Sequence, residues 1–284
     1  MDLIDLHVHS NRSDGTLTPV ELASYAAQKG LRAFALTDHD TLEGIPEAAK
    51  AAADLGIELI PGIEFSSAYQ GQDVHILGLD LDGSNPDLKE EIRRFQQERQ
   101  LRNQKMIDRM AADGIRISRE RMVAAFGDVL WTRAHFARYL QQEGYVKEMR
   151  DAFSTYIGDN CPYYVPRQKT SPSHVVRLIR KAGGIPVLAH PFQYRLDEEG
   201  LCVLIRSLKQ AGLLGIEAIY STHSPEQENE IRKLARNFGL CISGGSDFHG
   251  AHKPDIDLGC GKGNLRIPYE ILERLRNARA ASEF

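Results

Sequence analysis

The chain of 284 residues contains little cysteine: its four cysteines are scattered and form no CxxC pair. Neither a disulfide framework nor a thiolate zinc site is expected, and a reducing, cytoplasmic location is predicted. No apolar run is long enough to span a membrane, and the first residues lack the pattern of a signal peptide. The net charge of -4 shows no excess of basic residues, so the composition gives no indication that the protein binds nucleic acid. No membrane association and no protein partner are indicated.

Strand-like and helix-like segments alternate at both ends of the chain. The segment LIDLHVH predicts a strand, and the helix that follows has Thr18 as its cap, Pro19 at its start and Gly30 at its end. The alternation resumes late in the chain, where IPVLAH, GIEAIY and LCISGGSD predict strands. Such alternation is typical of parallel βα units, so an α/β barrel formed by residues 1–84 and 165–284 is predicted.

Residues 85–164 interrupt this pattern with long polar helical segments and no convincing strand. They predict an inserted, all-helical lobe. The window from Arg93 to Arg138 has eleven Lys or Arg and five acids, a net charge of +6, whereas the whole chain carries -4. A basic lobe suits an anionic substrate with more than one phosphate, although most of these arginines are expected to form a solvated helical face.

Imidazoles and carboxylates concentrate at or just after the predicted strands. His7 and His9 are two residues apart, which places both side chains on one face of a strand. In a βα barrel the carboxyl ends of the strands converge on one rim, where active sites lie. Nine side chains are therefore predicted to meet at this rim: His7, His9, Asp14, His39, Glu64, His75, His190, Asp247 and His249.

This donor set holds nitrogen and oxygen but no thiolate, which suits Zn, Mn or Fe better than Ca or Mg. Nine ligands are too many for one ion, so two or three divalent ions that share a bridging carboxylate are predicted, with manganese preferred. Such clusters hydrolyse phosphate esters with a metal-bound hydroxide. A lone histidine on a strand is more often a buried core residue, and this alternative stays open for single members, above all for His75 inside its strand.

The motifs resemble those of the PHP (polymerase and histidinol phosphatase) family over nearly the whole chain. They are HVHS with Asp14, TDHD at 37–40, Glu64 in GIEFS, His75, AHP at 189–191 and SDFHG at 246–250. The resemblance implies a distorted seven-stranded barrel and a trinuclear metal centre. By resemblance, the first metal is held by His7, His9, Glu64 and Asp247, the second by Glu64, His75 and His190, and the third by Asp14, His39 and His249.

The insertion and its segment TRAHFARYL are most similar to the bacterial PHP group that dephosphorylates nucleoside 3′,5′-bisphosphates. The resemblance implies a phosphomonoesterase that hydrolyses the 3′-phosphate. Members of the group also act as 5′→3′ exoribonucleases on short 5′-phosphorylated RNA, which is one alternative, and histidinol phosphatases are a more distant match. A non-catalytic nucleic-acid-binding barrel is disfavoured because no ligand position is missing. Amide hydrolysis is disfavoured because a neutral amide needs no basic lobe.

Five further side chains are candidate substrate contacts: Arg133, His135, Tyr164, Lys169 and His223. Arg133 and His135 follow Thr132 at a predicted helix start, where free backbone amides attract anions. Lys169 is a second candidate for a phosphate, and Tyr164 is a candidate for stacking on a base. His223 follows a predicted strand that could bring it to the site.

Overall fold

The computed structural model describes residues 2–166 and 170–282. The chain forms two compact units, one made of Met1–Glu90 and Lys169–Phe284 and the other of Glu91–Gln168. Among the described residues, no helix has both the length and the apolar character needed to cross a membrane.

The first unit is built on one sheet of seven strands, which follow one another in chain order across the described residues. A backbone bridge between Val8 and Phe248 joins the first strand to the segment after the last, so the sheet is a nearly closed barrel. The predicted α/β barrel is therefore confirmed. The strands are β1 (Ile4–Val8), β2 (Ala33–Leu36), β3 (Glu58–Tyr69), β4 (Gln72–Leu79), β5 (Ile185–Leu188), β6 (Gly215–Tyr220) and β7 (Cys241–Gly245).

Helices connect most of these strands, and their ends follow the sequence signals. Thr18 and Glu21 form a capping box before the first helix, and Gly56 ends the second with a left-handed φ of 69°. Within the described residues the α-helices are α1 (Pro19–Gln28), α2 (Ile45–Leu55), α3 (Pro86–Ala112), α4 (Arg119–Phe126), α5 (Arg133–Gln142), α6 (Met149–Ala152), α7 (Pro172–Lys181), α8 (Glu198–Ala211), α9 (Pro225–Phe238) and α10 (Glu270–Ala281).

The barrel is filled by apolar side chains that its strands share with α10. Ile4, Leu77, Val187 and Leu275 are fully buried in this cluster. Burial of this kind removes apolar surface from water and is the main favourable contribution to folding. It also holds the strands rigidly, so that polar side chains at their ends are presented by a fixed frame.

The parallel βα pattern indicated by the sequence does not extend to β4, which runs antiparallel to both β3 and β5. The physical reason is the two-residue turn Gln70-Gly71, in which both residues have positive φ, 48° and 80°. A two-residue turn reverses the chain, whereas a parallel return needs a long crossover. Because of this hairpin, Glu64 lies in the middle of β3 and not at the end of a strand, and His75 pairs with Ser66 across the hairpin.

The described residues of the second unit, 91–166, contain helices and no strand. It contains most of α3, followed by α4, α5, α6 and a short π-helical turn at Phe153–Ile157. Its apolar core includes Met106, Met110, Phe136 and Leu140, each fully buried. This unit therefore has a core of its own.

The hairpin turn gives a stability prediction. Gly71 has φ 80°, and a Cβ added there would meet no atom within 4 Å. We expect Gly71→Ala to lower the free energy of unfolding by about 1 kcal/mol, because only backbone strain opposes the new methyl group. Gly83→Ala is the matched control: its Cβ would meet Leu42 at an ordinary 3.5 Å, without a left-handed φ. Urea denaturation measures both, and equal losses would contradict the role given to the turn.

Candidate metal centre

The structure brings together all nine side chains that the sequence predicted to meet. They form four overlapping groups, and within each group the donor atoms lie within 4.8 Å of one another. The groups are His9, Asp14, His39 and His249; His7, Glu64 and His190; His7, His9 and Asp247; and His39, Glu64 and His75. Each group has donor atoms of the types that bind metal ions, close enough together that it could hold one ion.

Glu64 is the centre of the arrangement. Its side chain is 1% exposed, and its two oxygens are shared among five imidazoles. Its Oε2 lies 3.2 Å from His7 Nε2, His9 Nε2 and His39 Nδ1. Its Oε1 lies 2.8 Å from His75 Nδ1 and 3.0 Å from His190 Nε2. One carboxylate therefore links ligands that the sequence analysis had divided among different ions.

The ring nitrogens around Glu64 Oε2 fit a divalent cation. His7 Nε2, His9 Nε2 and His39 Nδ1 are buried, and none forms a hydrogen bond within the described part of the chain. All three nitrogens lie 3.2 Å from the same oxygen, so these metal-binding atoms converge on one point without forming hydrogen bonds to it. Buried polar atoms without partners are costly, and bound metal ions would give these nitrogens partners. Imidazole and carboxylate donors without thiolate suit Mn, Zn or Fe.

A second convergence surrounds Asp14. Its Oδ1 lies 3.3 Å from His249 Nε2, and its Oδ2 lies 3.8 Å from His39 Nε2. The rings of His9 and His249 are stacked, with 4.2 Å between their centroids. The Nδ1 of His252 lies 2.7 Å from the carbonyl oxygen of Asp14.

The buried charges shift the acid–base equilibria of these side chains. Burial disfavours protonation of His7 and His9, yet the carboxylates around them outweigh burial and raise both pKa values, that of His9 to about 9. Burial lowers the pKa of His39 to about 3. Burial likewise opposes ionisation of Asp247, but Lys253 and neighbouring imidazoles hold the pKa of its carboxyl well below the usual range. The ionised carboxylates thus favour positive charge nearby. In the metal-free protein this charge is carried by protons on His7 and His9, which a bound metal ion would displace.

Two of these nine residues have left-handed backbone conformations. His190 has φ 27° and ψ 60°, and Asp247 has φ 58°. Such conformations are uncommon for residues other than glycine. Local strain of this kind concentrates at functional sites, where the surrounding structure holds it in place.

Several buried polar residues around the centre were missed by the sequence analysis. Asp38 accepts hydrogen bonds from the backbone and hydroxyl of Ser10 and from the hydroxyl of Ser13, and so fixes the loop after β1. The hydroxyl of Tyr194 donates to the Ala189 carbonyl at 2.6 Å. Glu217, fully buried in β6, has a signal in the sequence, because it is the one charged residue in the otherwise apolar segment GIEAIY.

The candidate substrate contacts in the helical unit have partners there. Arg133 Nη1 donates to Asp159 Oδ1 at 3.1 Å, and its guanidinium carbon lies 5.7 Å from the centroid of the Tyr164 ring. The Nδ1 of His135 accepts from the backbone N–H of Thr132 at 3.0 Å, so this ring completes the capping box of α5. Lys169 lies outside the described residues.

His223 lies in the barrel unit, next to the ring of Tyr220, with 5.0 Å between centroids. Its Nδ1 lies 3.0 Å from the carbonyl oxygen of Ala218, which can only accept, so Nδ1 carries the proton. Its Nε2 is buried and has no hydrogen-bond partner among residues 2–166 and 170–282. Burial lowers the pKa of His223, so the neutral ring presents a lone pair at Nε2.

Comparison with known proteins gives consistent results. A 3′,5′-nucleoside bisphosphate phosphatase of Chromobacterium violaceum is 37% identical over 264 residues, which cover 90% of each chain. A 5′-3′ exoribonuclease of Haemophilus influenzae is 37% identical over 246 residues, which cover 86% of this chain and 89% of the relative.

A solved structure, described as an amidohydrolase from Chromobacterium violaceum with bound SO4 and no metal, matches with a TM-score of 0.87 and 36% identity. The match covers 97% of this chain and 96% of that one. The family model described as the PHP domain matches residues 5–158, which include all of β1 except its first residue, β2 to β4, and the ligands of these strands. The chain therefore belongs to the PHP domain family.

Proposed function

We propose that this chain, a hydrolase of phosphate esters, removes the 3′-phosphate of nucleoside 3′,5′-bisphosphates and uses two or three divalent metal ions. The observation that carries the proposal is the convergence of five imidazoles on Glu64, which suits bound cations and little else. The name of the Chromobacterium violaceum relative supports the choice of substrate. The basic character of the helical unit suits a substrate with two phosphates.

We assign the nine ligands to three ions as the family resemblance implies. The first set is His7, His9, Glu64 and Asp247, the second is Glu64, His75 and His190, and the third is Asp14, His39 and His249. Two of the four close groups agree with this division: one is His7, His9 and Asp247 of the first set, and another contains the whole third set. The other two groups combine residues of different sets through Glu64, the carboxylate that the first and second sets share. The short distances from Glu64 Oε1 to His75 and His190 support the second set.

Bound divalent ions supply Lewis acidity, which activates water and neutralises charge on a phosphate. The chain's own residues decide the direction of approach. His75 and His39 have the most exposed side chains around Glu64, at 21% and 12%, whereas His7 and His9 are fully buried. The phosphate to be cleaved therefore approaches from the side of His75 and His39. No serine or cysteine nucleophile is required, and water is the attacking group.

The phosphate that is not cleaved is assigned to Arg133, with His135 and Lys169 as further contacts. Arg133 is partly exposed, and its position against the Tyr164 ring offers a phosphate contact beside an aromatic surface for a base. A phosphate dianion competes with Asp159 for the guanidinium, since arginine binds phosphate in a bidentate manner. His223 is assigned a hydrogen bond from the substrate, because its Nε2 can accept one.

The alternative function is 5′→3′ exoribonuclease action on short 5′-phosphorylated RNA, and the name of the Haemophilus influenzae relative favours it. The two activities share one chemistry, because the first internucleotide linkage of such an RNA corresponds to the 3′-phosphate ester of a bisphosphate. A histidinol-phosphate-type phosphatase is a more distant alternative. A phosphate-release screen over nucleotides, oligonucleotides, sugar phosphates and histidinol phosphate tests these choices. A cytoplasmic location and manganese as the native metal remain predictions.

Metal removal is the first test. Chelation with EDTA should abolish phosphate release, because the ionised carboxylates of the centre bind substrate productively only with cations between them. Mn²⁺ should restore activity at least as well as Mg²⁺, since imidazole ligands disfavour magnesium. Phosphate release measured with each metal after dialysis decides this. Full activity in metal-free protein would sink the proposal.

Substitution of Glu64 tests its bridging role. Glu64→Gln keeps the shape of the side chain but removes the charge that five imidazoles surround. We expect metal affinity to fall by more than about 100-fold, since even residues behind the ligands contribute 10- to 100-fold. Elemental analysis and metal titration measure the loss. Glu58→Gln, on the same strand but paired with Arg276, is the control and should keep the wild-type metal content. Identical metal binding in both variants would refute the bridging role.

Substitution of Arg133 tests the assignment of the second phosphate. Arg133→Ala should lower kcat/KM for a nucleoside 3′,5′-bisphosphate roughly 10- to 100-fold, the value of one charge-assisted contact. It should leave a nucleoside 3′-monophosphate and the bound metal unaffected. Arg119→Ala is the control, because Arg119 forms an exposed ion pair with Asp128 in the same unit. If Arg133→Ala hydrolyses both substrates like the wild type, Arg133 belongs to the solvated face.

A further inference from the structure

Strand β6 contributes none of the nine proposed ligands, yet it places two polar side chains against them. Glu217 is fully buried and Tyr220 is 2% exposed. Residues three apart on a regular strand point to opposite faces. The pairing of β6 with β7 shifts its register between Glu217 and Ile219, so β6 carries a bulge there. A bulge re-aims the side chains that follow it, and here both Glu217 and Tyr220 contact the centre.

Glu217 holds two ligands from different proposed metal sites. The Nδ1 of His7 donates to Glu217 Oε1 at 3.0 Å. The backbone N–H of His190 donates to Glu217 Oε2 at 2.7 Å. The first contact fixes the His7 tautomer, so that the lone pair of Nε2 points to Glu64. The second holds the strained backbone of His190, whose φ is 27°. One carboxylate thus sets the distance between a first-site and a second-site ligand.

Tyr220 holds a third ligand. Its hydroxyl donates to Asp247 Oδ2 at 2.6 Å and accepts from Gln193 Nε2 at 2.6 Å. The ammonium of Lys253 donates to the same Oδ2 at 2.5 Å. Two donors therefore engage Oδ2, and Oδ1 is the oxygen that lies near His9 Nε2, at 3.3 Å. Asp247 is thereby prepared to offer a single oxygen to a cation.

We propose that Glu217 and Tyr220 are positioning residues that set the spacing of the first and second metal ions by fixing His7, His190 and Asp247. This inference rests on the proposed metal centre but not on any particular substrate. The physical reason is that a carboxylate with one oxygen engaged cannot rotate to bind in a bidentate manner, and a ring with one nitrogen engaged cannot turn away. Gln193 follows His190 by three residues, so its bond to Tyr220 ties the same two ligand loops together.

The test is Tyr220→Phe, which removes one hydroxyl and little volume. Tyr269→Phe is the matched control: Tyr269 is also buried and its hydroxyl also donates to a carboxylate, Glu58 Oε2, at 2.7 Å. Electron paramagnetic resonance of the Mn²⁺-loaded proteins is the main readout, because the magnetic coupling of two bridged manganese ions depends on their spacing. Mn²⁺ affinity, from competition with a chelator, is the second.

We expect Tyr220→Phe to change the coupled manganese spectrum and to weaken the affinity of one ion 10- to 100-fold, with Tyr269→Phe identical to the wild type in both. Glu217→Gln should change the spectrum as well, with Glu58→Gln as its control. This second variant keeps the proposal testable if Tyr220→Phe does not fold. The proposal is overturned if the position-220 and position-217 variants both keep the wild-type spectrum and affinity.

The same measurements separate this inference from the proposed function. If the wild type binds manganese but releases no phosphate from any substrate in the screen, the proposed function fails, and a changed spectrum in Tyr220→Phe still supports the positioning role. The opposite outcome is that the wild type hydrolyses the bisphosphate, while Tyr220→Phe and Glu217→Gln both keep the wild-type spectrum and affinity. In that case the positioning role fails and the proposed function stands.

Discussion

The burial of Glu64 among five imidazoles is the constraint around which the barrel mouth is organised. An isolated carboxylate in such a place would be strongly destabilised, and partial pairing would not suffice. The protein surrounds it with ring nitrogens whose remaining lone pairs point at shared positions, so that the charge is compensated fully only when cations enter. The anchoring contacts of Asp38, Glu217 and Tyr220 then have a common purpose, because each holds a ligand or a ligand loop in a fixed orientation.

The reversal of β4 explains how so many donors reach one place. In a uniformly parallel barrel each strand supplies side chains from its carboxyl end. Strand β3 continues beyond Glu64 to the Gln70-Gly71 turn, where the chain reverses and β4 returns beside β3. Glu64 within β3 and His75 near the beginning of β4 therefore lie on adjacent strands. Their 2.8 Å contact is a product of that hairpin. In a barrel without this hairpin, a carboxylate such as Glu64 and an imidazole such as His75 would have to be supplied by separate loops.

The convergence of the nine side chains could be predicted from the sequence because its signals are local. The alternation that pairs His7 with His9, and the strand ends at His190 and Asp247, follow from rules that span a few residues. The direction of β4 does not follow from the alternation of strands and helices, because the reversal depends on only two residues, Gln70 and Gly71. Glu217 was missed because its partner, His7, is 210 positions away in the chain and the register of β6 shifts after it. Such long-range pairing has no local pattern.

The left-handed backbone of His190 and Asp247 has a consequence for the lifetime of the protein. The strained backbone at these two residues lowers the stability of the folded, metal-free chain. A cation that binds only the folded state raises that stability by RT ln(1 + [L]/Kd). Thermal denaturation and proteolysis would then report the free metal concentration. A cell short of metal would hold a less durable form of this chain, so supply of the ion would control abundance as well as turnover.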